Sequence, residues 1–163
     1  MPATYEPIAT TSLGSATSSV TFSSITATYT DLVIVCLVQK ETSGADYMGL
    51  RFNGDTGSNF SRVRISGDGT TASSYQDAGQ NIAFCDINVN QFASPGNLII
   101  NLNNYSNSTT NKIALTRSNN VNSGTSAVVN LWRSTSAINS VTLLSGSNMK
   151  IGSTFTLYGI KAA

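Results

Sequence analysis

Asp31-Leu32-Val33-Ile34-Val35-Cys36-Leu37-Val38-Gln39 sets seven consecutive apolar residues between two polar ones. Strand side chains alternate between faces, so apolar residues at both parities predict a central strand covered on both sides. Outward from this run the same period of two recurs, and no window carries a helical period. Residues 19–25 place Val20 and Phe22 on one face. Residues 47–53 set Met48, Leu50 and Phe52 inward and Gly49, Arg51 and Asn53 outward. Residues 60–66 set Val63 and Ile65 inward and Arg62 and Arg64 outward. A strand is expected around Cys85 over 82–89. Inward residues are then offered by 97–103 (Leu98, Ile100, Leu102), 112–117 (Ile113, Leu115) and 127–133 (Val129, Leu131). The last two runs are 138–144 (Val141, Leu143) and 153–160 (Phe155, Leu157).

About ten strands are too many for one open sheet in so short a chain, and two packed antiparallel sheets bury the inward faces better. The expected fold class is therefore all-β, an antiparallel, jelly-roll-like β-sandwich. Residues 1–17 are weakly patterned and read as an extended N-terminal arm, with 18–163 as a single sandwich domain. Residues 53–59, Asn-Gly-Asp-Thr-Gly-Ser-Asn, read as a long hairpin loop. The least hydrophobic stretch opens at Gly67 and runs to about Gln80; it reads as a mobile surface loop.

Only 10% of the residues are charged and the net charge is +1. That leaves no electrostatic footprint for nucleic acid or an anionic membrane, and neither is expected as a partner. No apolar run approaches the length of a membrane span, and the first residues lack the basic and apolar stretches of a secretory signal. Near-neutral charge also tolerates dense assembly. The polar residues are mainly Ser, Thr and Asn, and the outer faces are expected to be polar surfaces that form many weak hydrogen bonds to neighbours. Cys36 and Cys85 sit in apolar runs at no metal or redox spacing and read as small buried side chains.

Histidine is absent. That removes Ser-His-Asp and Cys-His catalysis and the commonest transition-metal ligand. The eight acidic residues, Glu6, Asp31, Glu41, Asp46, Asp55, Asp68, Asp77 and Asp86, fall mostly in predicted turns, where Asp serves local hydrogen bonds. A non-enzymatic protein without a cofactor is expected.

Tyr5-Glu6-Pro7-Ile8-Ala9-Thr10-Thr11 leads to Val20-Thr21-Phe22-Ser23-Ser24-Ile25, then Tyr29-Thr30-Asp31-Leu32-Val33-Ile34-Val35 and Leu50-Arg51-Phe52-Asn53-Gly54-Asp55. Leu131-Trp132-Arg133-Ser134 and the closing stretch from Gly152 to Ile160 follow. In this order the segments resemble small tailed-bacteriophage virion proteins and domains at the ends of phage tail fibres. The resemblance spans nearly the whole chain and includes no catalytic motif. It implies a β-sandwich displayed on a virion, often as a homo-oligomer and commonly a trimer. A capsid decoration or cement protein would contact the major capsid protein or another virion protein, after synthesis in the bacterial host cytoplasm. The alternative is a tail-fibre or receptor-binding protein that recognises host surface glycans.

The candidate partner contacts are Arg51, Arg62, Arg64, Asp55 and Trp132. If Phe52 pairs with Val63, Arg51 lies opposite Arg64 on the outer face of one hairpin. That is either an ordinary solvated face or one whose guanidinium groups meet a partner's carboxylates or carbonyls. Asp55 and the Asp68-Gly69 turn offer oxygen ligands for Ca²⁺, without EF-hand spacing, and plain turn chemistry accounts for the same residues. Trp132, near a strand end, either edges the core or presents a ring to a partner.

Overall fold

Twelve strands and, among the described residues, no helix make up the chain in a computed structural model that describes residues 4–91 and 93–161. They are β1 (Tyr5–Ser12), β2 (Thr17–Phe22), β3 (Asp31–Val38), β4 (Ala45–Phe52), β5 (Phe60–Gly67) and β6 (Ala72–Gln80). The second half holds β7 (Ala83–Gln91), β8 (Gly96–Asn103), β9 (Lys112–Asn120), β10 (Gly124–Trp132), β11 (Val141–Met149) and β12 (Thr154–Ile160). An eight-stranded sheet runs β1-β12-β3-β8-β9-β10-β5-β6, and a four-stranded sheet runs β2-β11-β4-β7.

The pairs β2–β11, β3–β8, β4–β7 and β5–β6 are antiparallel and nested, and they fall alternately in the small and the large sheet. This is a long hairpin rolled on itself, the jelly-roll arrangement. The β9–β10 hairpin widens the large sheet by entering between β8 and β5. The larger sheet is therefore twice as broad as its cover.

Over half of the large sheet the two layers meet as the alternation requires. Leu32, Ile34, Cys36 and Val38 of β3, Leu98, Ile100 and Leu102 of β8, and Phe155 and Leu157 of β12 are buried. They face Met48, Leu50 and Phe52 of β4, Val141 and Leu143 of β11, and Val20 and Phe22 of β2. Each such side chain contributes about 1.5–3 kcal/mol through loss of water contact. At one end Phe52 of the small sheet meets Phe60 and Trp132 of the large one, with ring centroids 6.0 and 5.5 Å apart.

Several expectations are corrected. β3 is central in its sheet, but only Val33 of its outer side chains is buried; Val35 and Leu37 are exposed. Residues 53–59 cross from β4 in the small sheet to β5 in the large one and do not close a hairpin. Asn53 holds that crossing with φ of 51°. Its side chain donates to Ala137 O and accepts from the Asn139 amide. Residues 72–80, read as loop, form edge strand β6; pairing on one side only lets an edge strand be polar on both faces. Of the expected N-terminal arm, residues 5–12 are extended and lie along β12 as the other edge strand.

The largest correction concerns β5, β9 and β10, where the alternation is present in the opposite phase. Arg62 and Arg64 point inward, whereas Val63 and Ile65 are 52% and 62% exposed. In β9 the buried residues are Lys112, Ala114, Thr116, Ser118 and Asn120, and Ile113 and Leu115 face out. In β10 Ser126, Val128, Asn130 and Trp132 are buried and Val129 is exposed.

Candidate functional site: an apolar sheet face over a polar layer

The inverted phase has a physical cause in β7, the open edge of the small sheet, which lies over β9, β10 and β5. An edge strand leaves main-chain groups without a strand partner, and buried ones must find another. Asn130 Nδ2 donates to Phe84 O at 2.9 Å and Thr116 Oγ1 donates to Cys85 O at 3.0 Å. Beside them the Ser118 and Ser126 hydroxyls pair at 2.8 Å. Lys112 Nζ donates to Thr110 O at 2.6 Å and Thr135 O at 3.2 Å, and burial lowers its ammonium pKa from the ordinary value. Because the inner positions serve this polar layer, their apolar neighbours take the outer face.

Strand register fixes that outer face. One row reads Val35, Ile99, Arg117, Ala127, Ile65 across β3, β8, β9, β10 and β5. The next reads Val33, Asn101, Leu115, Val129, Val63. Two shallow depressions of about 690 and 570 Å³ lie on this face, both lined by Ile65, Arg117 and Ala127. Monomeric soluble proteins seldom leave contiguous apolar surface larger than a few hundred Å² uncovered.

The residues predicted as contacts lie elsewhere. Arg62 donates to Asp77 at 3.0 Å and sits 4.0 Å above the Phe84 ring. Arg64 shares its inward side, across from Tyr75 on β6. Arg51 does not join them, because β4 pairs with β11 and β7; its register partner is Thr142. Asp55 and Trp132 do come together. The indole Nε1 donates to Asp55 Oδ2 at 2.6 Å, with Asn59 Nδ2 on the same oxygen at 2.8 Å and the Gly57 amide on Oδ1 at 2.8 Å. These bonds, led by the indole, hold the Asp55 carboxyl below the usual carboxylate range. Trp132 is buried and its ring packs on Phe52 and Phe60, so the pair braces the sandwich end.

Other reactive groups are similarly occupied. Asp68 accepts from the Thr70 and Thr71 amides and the Thr70 hydroxyl, which pulls its pKa to about 2. Cys36 and Cys85 are buried, and burial pushes the Cys36 thiol up. Among the described residues no group of three His, Cys, Asp or Glu side chains is placed to hold a metal ion. Ser147-Asn148-Met149-Lys150 has Ser-x-x-Lys spacing; Ser147 lies in the end of β11, whose pairing with β2 shifts register between Leu144 and Met149, and Lys150 follows the strand with its amide donating to Gln39 O.

Sequence reasoning assigned Val63, Ile65, Ile113, Leu115, Val129 and Leu131 to the core. Polarity offered no warning: Arg62, Arg64, Lys112, Thr116 and Asn130 occupy the other phase of the same strands, and such residues are ordinarily outside. No protein-family model matches the sequence. No curated protein matches it either.

Proposed function

We propose that this chain is a non-enzymatic structural protein of the bacteriophage virion surface, a capsid decoration or cement protein that binds the assembled shell as an oligomer. The observation that carries this reading is the outward apolar face of the eight-stranded sheet, with Val63, Ile65, Ile113, Leu115 and Val129 all exposed. Such a face is stable in water only at a cost in solubility, and it becomes favourable when another protein surface covers it. A rigid two-layer scaffold suits a protein that adheres. The polar inner layer is already hydrogen-bonded to β7, and Asp55 and Trp132 serve each other. The segment order that resembles tailed-phage virion proteins supplies the virion setting, and the near-zero net charge suits close packing of many copies.

Copy number tests the reading. In purified virions of the phage that encodes the chain, quantitative mass spectrometry against the major capsid protein is expected to count hundreds of copies per particle. A count of a few to a few dozen would move the protein to the tail, and absence from the particle would overturn the proposal.

A further inference from the structure

We infer that a second copy of this chain docks on the outer face of the eight-stranded sheet, about a two-fold axis that runs along the strands between β8 and β9. This rests on the reading that the face is covered in the working assembly, and it names what covers it.

Size is the first argument. With strands about 4.8 Å apart and about 3.4 Å per residue, eight strands of this length span roughly 900 Å². A stable pairwise interface needs about 800 Å² from each partner. A single sheet face therefore provides what a dimer requires, and two sheets packed face to face repeat the packing already used inside the sandwich.

Chemistry is the second. The centre of the face holds aliphatic side chains and the amides of Asn97 and Asn101, which can both donate and accept. Arg117 is the cation among them. At the margin lie two opposite charges. Asp31 starts β3, with Oδ1 accepting from the Asn104 amide at 2.7 Å, and exposed Arg133 follows the end of β10. Both sit at the same end of the sheet, because Asp31 pairs with Asn103 on β8 and Leu131 pairs with Ile113 on β9.

Geometry joins these facts. β8 and β9 are neighbours, flanked by β3 and β10. A two-fold between β8 and β9 lays β3 of one copy over β10 of the other. It sets Asp31 against Arg133 of the second copy, twice over. The same operation lays Arg117 over Ile99 of the other copy, between the Asn97 and Asn101 amides. The marginal charges and the aliphatic pairs Val33 with Val129 and Val35 with Ala127 meet under this one operation. The trimer implied by the resemblance has no two-fold and does not produce these matches.

Sedimentation equilibrium across a concentration series tests the inference, with circular dichroism to verify folding. The wild-type chain is expected to reach a dimer mass, with only a modest weakening at high salt as the marginal ion pairs are screened. Leu115→Asp, an exposed position, is expected to raise the dissociation constant about 30-fold or more. Asp31→Lys and Arg133→Glu should each weaken the dimer, and the double exchange should restore it. A monomeric or trimeric wild type, or a dimer indifferent to Leu115→Asp, would overturn the pairing. Failure of rescue in folded double variants would overturn the placement of the axis. Particle binding by the same variants separates the two readings. If the wild type is monomeric and Leu115→Asp abolishes particle binding, the shell covers the face and the proposed function stands without the dimer.

Discussion

The two halves of the large sheet use one alternation in opposite senses. Under the small sheet, β12, β3 and β8 point Phe155, Leu157, Ile34 and Ile100 inward, and the layers meet through aliphatic and aromatic contact. Under the β7 edge, β9, β10 and β5 point Thr116, Asn130 and Arg62 inward and send Leu115, Val129 and Val63 to the surface. The difference shows that the overlying element sets the inward phase of a strand. A strand covered by a paired sheet meets side chains. A strand covered by a sheet edge meets main-chain carbonyls, and it must answer them with donors.

Substitutions on the two phases should separate sharply in chemical denaturation of the dilute chain. Ile34→Ala empties a fully buried site in the first half and is expected to cost about 4 kcal/mol, through lost transfer energy and the cavity left behind. In the second half Arg62→Ala strands the largely covered Asp77 carboxylate and removes the guanidinium from Phe84, with an expected loss of about 3 kcal/mol. An unchanged midpoint for Arg62→Ala would show the inner layer to be solvated and the comparison to be false.

Asp55→Ala removes the acceptor of the Trp132 indole and is expected to cost about 1–2 kcal/mol. The same contact has a pH signature. A carboxyl held below its unfolded value of 3.8 contributes stability above that value and loses it as pH falls through the folded pKa. Asp68 acts in the same direction down to about 2. Melting temperature should therefore fall as pH drops from about 4 towards 2, and Asp55→Asn should flatten part of that fall. Parallel profiles for the two proteins would contradict the assignment. The smallest effect belongs to the surface of the inverted half. Val63→Ser is expected to shift the stability of the dilute chain by no more than about 0.5 kcal/mol.

The sequence showed where the strands lie far better than which way they face. β3, β8 and β12 were legible because Leu32, Ile34, Leu98, Ile100, Phe155 and Leu157 carry the larger apolar side chains in the phase that is buried. In β9 the larger apolar residues, Ile113 and Leu115, stand in the exposed phase, and in β5 Val63 and Ile65 do so although Phe60 shares the buried phase of Arg62 and Arg64, so hydrophobicity alone chose the wrong side. Period is a local property; phase depends on β7, far along the chain, and no pattern within β9 encodes it. β6 escaped notice because a strand paired on one side has no need of an apolar face: its Ser73, Ser74 and Gln76 are exposed. The predicted cluster of three arginines failed for a topological reason. Residues 53–59 change sheets, which separates Arg51 from Arg62 and Arg64. The pairing of Asp55 with Trp132 spans 77 positions in sequence and becomes visible only once β5 and β10 are neighbours.

Thiol labelling of Val63→Cys tests the central claim most directly, since Cys36 and Cys85 are buried and supply an internal reference. In the dilute monomer the new thiol should react with maleimide at the rate of an open surface cysteine, while the two native thiols stay unmodified. In the assembled state, dimer or particle, it should become protected. A thiol at position 63 as unreactive as Cys36 in the dilute chain would place Val63 in the core, and undiminished labelling in the assembly would leave the apolar face without a partner.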